Sequence, residues 1–259
     1  MTGTSWVERA LRHDRALVVS GLTLVIGLSW AYLLAGAAMM EPMGDMLMPM
    51  SAADWTAGYA LIVFIMWAVM MAAMMLPSAA PMILLYATMA RRRRERGQAG
   101  AGDAAFSVGY IVVWATFSVV ATLLQFALER LALMTPMMQT SSVALAGAVL
   151  VAAGVYQWTP LKQACLRLCR SPLDFMLTQW RDGSKGAFVM GLRHGAFCLG
   201  CCWLLMLLLF VGGVMNLLWI AGIALFVLVE KMAPAGHWLG RGAGLLLVVW
   251  GIATWLALV

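Results

Sequence analysis

The chain has 259 residues, 64% of them hydrophobic and only 11% charged, with a formal net charge of +6. A soluble domain carries about 25% charged residues, so this composition excludes a soluble enzyme. Its basic excess fits the loop asymmetry that orients membrane spans better than a nucleic-acid footprint. Five cysteines, an odd number, do not make a secreted-type disulfide framework. GxGxxG, P-loop and HExxH patterns and tandem repeats are all absent.

A membrane span needs roughly 20 apolar residues. The hydropathy pattern predicts seven, at about 16–38, 58–89, 105–127, 141–159, 187–211, 214–230 and 241–258, the sixth being short. The expected fold class is all-α, a polytopic transmembrane helical bundle. Residues 1–54 form an N-terminal span with its loop, and 55–259 the main membrane domain. The first apolar run is longer than the h-region of a secretory signal and is read as a retained span.

Behind the first span lies MMEPMGDMLMPM, residues 39–50. It holds Met39, Met40, Met43, Met46, Met48 and Met50, with Glu41 and Asp45 among them. Two prolines and a glycine oppose a regular helix. Thioethers mixed with carboxylates suit capture of copper ions; a greasy interfacial loop is the plainer reading.

The second span contains MWAVMMAAMMLPSAAPM, residues 66–82. Met66, Met70 and Met74 recur every four residues and share one helix face, with Met71 and Met75 in the adjacent row. Thioethers are uncharged and polarizable, so they enter lipid cheaply and still offer sulfur to a soft metal. The same residues also serve as packing, and both readings stand at this point. Pro77 and Pro81 predict a kink. The run RRRRER at 91–96 reads as a topology signal touching anionic lipid.

After the fourth span, LKQACLRLCRSP (161–172) places Cys165 and Cys169 at i,i+4 on a short basic helix. Two such thiols can share a soft ion; a reduced pair without metal is the alternative. The fifth span reads GLRHGAFCLGCCWLLM, residues 191–206. At 100° per residue, His194, Cys198, Cys201 and Cys202 fall in a wedge of roughly 100°, one helix face. One imidazole and three thiols form a donor set suited to Cu(I) and tolerable for Zn. Core cysteines and an interhelical histidine are the plainer reading, and Cys198-Leu-Gly-Cys201 is also a CxxC. Gly195 and Gly200 admit a close helix neighbour. Arg193 sits in this span at a depth compatible with pairing to Glu230, and Lys231 is expected to snorkel to the interface.

The basic residues orient the bundle. Arg9, Arg12 and Arg15, then Arg91, Arg92, Arg93, Arg94 and Arg96, then Lys162, Arg167, Arg170, Arg181 and Lys185, then Lys231 and Arg241 all fall on one side if the N-terminus is inside. The opposite side carries Arg130 against Glu41, Asp45, Asp54 and Glu129. The positive-inside rule then gives N-in and C-out.

Several of these motifs together resemble a family. They are MWAVMMAAMMLPSAAPM, Tyr156-Gln157-Trp158-Thr159-Pro160-Leu161-Lys162 running into Cys165 and Cys169-Arg170-Ser171-Pro172, Gly200-Cys201-Cys202-Trp203, Gly213-Val214-Met215-Asn216 and Glu230-Lys231. Over about residues 55–258 the chain is similar to the bacterial family of predicted metal-binding integral membrane proteins. That family includes membrane copper chaperones associated with tyrosinase- and laccase-type polyphenol oxidases. The Met-rich loop at 39–50 is outside the family pattern.

Residues and resemblance together lead to an expectation: a non-enzymatic inner-membrane protein that binds Cu(I) and passes it on by Met/Cys/His ligand exchange. Its partners would be membrane lipid and a copper-dependent oxidase or soluble copper carrier, with no nucleic acid. The expected ligands are His194, Cys198, Cys201, Cys202, Met66, Met70, Met71, Met74, Met75, Cys165 and Cys169. A soft-metal permease, a thiol oxidoreductase using Cys198 and Cys201, and a structural subunit are the alternatives. Haem is disfavoured because His13, His194 and His237 are the only histidines.

Overall fold

A computed structural model describes residues 6–40, 55–97, 103–135 and 138–257. The described residues form ten helices: α1 (Trp6–Met40), α2 (Ala57–Glu95), α3 (Asp103–Arg130), α4 (Val143–Tyr156), α5 (Pro160–Arg170), α6 (Pro172–Gln179), α7 (Gly183–Leu207), α8 (Leu209–Gly212), α9 (Leu217–Met232) and α10 (Gly236–Leu256). An isolated bridge between Met134 and Thr140 is the one β pairing among them. The chain is all-α, as expected.

Side-chain caps set several helix starts by satisfying N–H groups that have no intrahelical acceptor. Thr56 accepts from Tyr59 N at 3.2 Å, Ser142 from Leu145 N at 3.2 Å, Thr159 from Lys162 N at 3.3 Å, and Asn216 from Trp219 N at 3.2 Å. Gly213, at φ +95°, makes the turn that Asn216 then caps. Ala233 lies extended before Pro234, as a residue preceding proline must, and this stops α9.

Five helical segments are long and apolar enough to cross a membrane: Val18–Gly36, Ala57–Glu95, Ala104–Arg130, Gly183–Gly212 and Gly236–Leu256. A sixth results if α4 and α5, bent by 64°, count as one. The two expected spans that fall short have local causes. Thr159 caps a new helix at Pro160, so α4 stops after 14 residues. The Gly213 turn and Pro234 confine α9 to 16 residues. Pro77 and Pro81 lie inside α2, which runs through them as one element.

The core sits where α2, α3, α7 and α9 meet, with α5 against α7 and α4 paired with α10. The α3–α7 contact is backbone on backbone: a Cβ on Gly191 would strike the Phe106 carbonyl, and one on Gly109 the Phe188 carbonyl. Outside lies an apolar perimeter, with Leu24, Leu28, Leu225, Leu246 and Trp250 exposed. Arg93 Nη2 meets Asp182 Oδ1 at 3.0 Å, which brings the basic end of α2 beside the start of α7.

Candidate functional site

The apolar helix α7 behaves as its periodicity predicts. His194, Cys198, Cys201 and Cys202 all lie on the buried face of α7. The Cys201 and Cys202 thiols each donate to the Cys198 carbonyl at 3.0 Å. This i−3/i−4 contact satisfies a thiol inside a helix and aims both sulfurs along the same face. All five cysteines are free.

Facing them is α2. Met66, Met70, Met71, Met74 and Met75 are all buried, so the rows point inward and away from the perimeter. Met75 is the one described methionine whose sulfur meets a thiol, with Cys202 Sγ 3.9 Å from its Sδ. The other four lie in the same buried core as Trp67, whose indole donates to Gln125 Oε1 at 2.8 Å. Gln125 Nε2 in turn donates to Glu129 at 2.9 Å, and Trp55 Nε1 to the same carboxylate at 2.8 Å. A polar ladder therefore runs from the start of α2 inward to the methionine rows.

The short helix α5 closes the third side. Its bend from α4 carries Cys169 to the thiols of Cys198 and Cys201, close enough to interact with both. Cys165 packs on Gly200, where a Cβ would stand 2.8 Å from its sulfur, and interacts with Cys201. Gly195 admits Val113 of α3 in the same way, at 2.9 Å. Both glycines thus act as the close-approach points expected of them. Cys165 and Cys169 are partly exposed, whereas the α7 cysteines are buried.

Around Cys198 a closed ring of hydrogen bonds joins α2, α3, α7 and α9. Lys231 Nζ donates to Cys198 Sγ and to Ser78 Oγ, both at 3.0 Å. Ser78 Oγ donates to the Met75 carbonyl at 2.9 Å. Tyr110 Oη donates to that carbonyl at 3.3 Å and pairs with Cys198 Sγ at 3.2 Å. None of Lys231, Ser78 or Tyr110 stood out in the sequence as a site residue. Lys231 and Ser78 lie within the family motifs, but without an assigned role, and the intramembrane position of Lys231 suggested snorkelling. The lysine is instead buried, 6% exposed, because the short α9 brings its stem inside the bundle.

The anticipated Arg193–Glu230 pair does not form. Arg193 is exposed and hydrogen-bonds Gln179. Glu230 is fully buried and meets Lys162 Nζ at 2.7 Å through Oε1 and 2.9 Å through Oε2. Lys162, counted above among the loop cations, is buried and also donates to Gln157. The reason is again the α4–α5 bend, which turns the α5 N-terminus into the bundle.

His194 sits in an aromatic box of Phe106, Tyr110 and Phe175, with ring centroids 5.5–6.0 Å away. Its Nδ1 is buried without a hydrogen-bond partner among the described residues. No three His, Cys, Asp or Glu side chains among the described residues converge as a ready-made ion site. The soft donors come together through the thiol contacts and Met75. Met39 and Met40 end α1, with side chains that are not described, and Met43, Met46, Met48 and Met50 lie outside the described residues.

An all-α bundle with several apolar helices able to span a membrane, and a sulfur-lined interior, defines the class: an apolar helical protein built around buried soft donors. The sequence profile of the family described as PpoB2, copper chaperone, matches residues 64–254, and the chain belongs to that family. The matched region runs from α2 to α10 and contains every cysteine. No curated protein and no solved structure matches the chain.

Proposed function

We propose that this chain is a multi-pass protein of the cell inner membrane, N-terminus inside and C-terminus outside, that carries Cu(I) and releases it to a copper-dependent oxidase or soluble copper carrier. The exposed apolar perimeter favours a lipid surround. The orientation rests on the positive-inside rule, with Arg91–Arg96 and the 181–185 segment at one end of the bundle. Membership of a family described as copper chaperones supports copper as cargo and a carrier role.

The observation that carries the reading is the Cys202–Met75 approach at 3.9 Å. Two sulfurs, each about 2.3 Å from a shared soft ion, stand roughly 3.8 Å apart at a tetrahedral angle and 4.6 Å apart in line. Thiol and thioether therefore already lie at bridging distance. Cys198, Cys201 and Cys169 supply neighbouring sulfurs for stepwise exchange, and His194 an imidazole on the same face. Exchange among such ligands moves the ion without any electron transfer. The methionine rows and the Glu129–Gln125–Trp67 ladder would form the weaker approach from the opposite end of α2, and Cys165 the partly exposed end of the thiol series.

Anaerobic titration of the purified protein with Cu(I) against a chromogenic chelator tests this. Wild type is expected to withhold copper from the chelator, and C198S/C202S to surrender it. In proteoliposomes the loaded protein should deliver copper to an apo-acceptor without net flux. Absence of copper uptake sinks the reading, and sustained transmembrane flux replaces it with a permease.

A further inference from the structure

Lys231 is the buried group that copper carriage by itself does not require. Its ammonium stands 3.0 Å from Cys198 Sγ and lies within electrostatic range of Cys201, Cys202 and Cys169. Its stem comes from α9, and Ser78 of α2 holds the ammonium from the other side at 3.0 Å. The charged group facing it from its own helix is Glu230, which is committed to Lys162. From α3 and α7 it faces Tyr110, which shares the Cys198 sulfur, and His194.

The geometry points to Lys231 as a tethered competitor for the Cys198 sulfur, a release device that sets how tightly the thiol set holds its cargo. This rests on the copper-carrying reading above. A sulfur that accepts an N–H hydrogen bond directs toward the ammonium the same electron density that a soft cation needs. When the ion binds, a metal–sulfur bond forms and the N–H···S hydrogen bond breaks. The ammonium stays on its Ser78 anchor, and its four-carbon stem gives it the freedom to swing aside. On release the metal–sulfur bond breaks and the hydrogen bond returns. No electron moves; the Cys198 thiol yields its proton to solvent as the metal–thiolate bond forms and regains it on release, while one cation contact replaces the other.

A thiol site without such a competitor binds soft ions tightly and gives them up slowly, which suits storage better than delivery. A hydrogen bond from a charged donor contributes enough to shift the equilibrium by about tenfold to a hundredfold. Competition of that size weakens the hold on cargo without dismantling the ligands. The alternative role for the same lysine is support, its positive charge favouring a sulfur ready to bind metal. The two roles predict opposite signs.

The experiment uses the full chain in detergent, loaded anaerobically with Cu(I), with transfer to a chromogenic chelator followed in time and Ag(I) as a redox-inert second probe. For K231M the competitor role predicts tighter retention and transfer slowed about tenfold or more, with the ligand stoichiometry unchanged. Weaker retention, or a transfer rate equal to wild type, overturns it. S78A removes the second anchor and leaves the ammonium wholly to Cys198, so retention should fall severalfold, and unchanged or tighter retention overturns the proposal. This second variant carries the test if K231M does not fold. Wild type that takes up no copper defeats the carrier reading itself. Wild type that takes it up while K231M transfers just as fast defeats the competitor role alone.

Discussion

Two lysines are buried in this bundle, and their surroundings differ in kind. Lys162 is enclosed by hard oxygen acceptors, both Glu230 carboxylate oxygens and the Gln157 amide oxygen, where α5, α9 and α10 converge. Lys231, the very next residue of α9 after Glu230, faces a hydroxyl and a thiol, and among the described residues it has no carboxylate at ion-pair distance. A buried cation locked to a carboxylate fixes architecture, because either partner alone is very costly. A buried cation resting on sulfur is held less firmly, and sulfur is what a soft ion seeks. The first region is a lock and the second an exchangeable contact, and Glu230-Lys231 joins them on one helix end.

The largest effect should come from unpairing the lock. Glu230→Gln leaves the Lys162 ammonium buried without its counter-charge and should cost about 3–5 kcal/mol. Thermal unfolding in detergent would read this as a large fall in Tm. Replacing both partners, as Lys162→Met with Glu230→Leu, should recover most of it, since a well-packed apolar pair often matches a buried ion pair. A small effect of Glu230→Gln would erase the distinction between the two lysines.

Next in size is Gly240→Ala. A Cβ there runs into Glu230 Oε1, and the carboxylate cannot swing clear because Lys162 holds both of its oxygens. Overpacking of this kind costs about 1–3 kcal/mol. The same unfolding measurement should show it, and copper retention per folded molecule should not change, because the lock does not touch the sulfur ring.

Much of this arrangement was legible before the fold was known. The inward face of α7 follows from helical period alone, because His194, Cys198, Cys201 and Cys202 lie within about one quadrant of a regular helix. Periodicity also grouped the methionines correctly, but it could not say that Met75 alone would meet a thiol. That depends on where α7 docks, which the Gly109–Gly191 contact decides. Lys162 was misread because LKQACLRLCR looks like an exposed basic helix. Only the 64° bend at Thr159–Pro160 turns its first lysine inward. Arg193 and Glu230 suggested a pair by depth, yet depth says nothing about azimuth, and they face different neighbours. Ser78 lies in a family motif but with no role attached, and Tyr110 carried no signal, since an isolated hydroxyl in an apolar helix is common; only the tertiary ring makes them partners of Cys198.

The sulfur ring should respond to mutation in the opposite sense from the lock. Tyr110→Phe removes one hydroxyl that touches both the Met75 carbonyl and Cys198 Sγ. Losing such a hydrogen bond costs about 0.5–1.5 kcal/mol of stability. Groups that orient metal ligands, by comparison, typically change metal affinity by about tenfold or more. The expected signature is a modest Tm shift beside a disproportionate change in Cu(I) retention. If Tyr110→Phe instead loses stability and keeps its copper affinity, the ring belongs with the lock as a structural device.

The smallest effect is the one that separates either region from the surface. Arg193 precedes His194 and lies in the same helix as the cysteines, so sequence proximity alone would put it in the site. Its side chain points out of the bundle to Gln179 on α6 and is exposed. An exposed hydrogen bond of this kind contributes little, and Arg193→Ala should shift stability by no more than about 0.5 kcal/mol. Copper retention and chelator transfer should match wild type. A loss comparable to that of Glu230→Gln would mean that Arg193, rather than Lys162, supplies the counter-charge for Glu230, and the lock would have to be redrawn around α7. A loss of copper alone would place the guanidinium at the thiol face. Between those outcomes, an inert Arg193→Ala beside a damaging Glu230→Gln separates a cation that merely sits in the apolar segment from one that holds the bundle together.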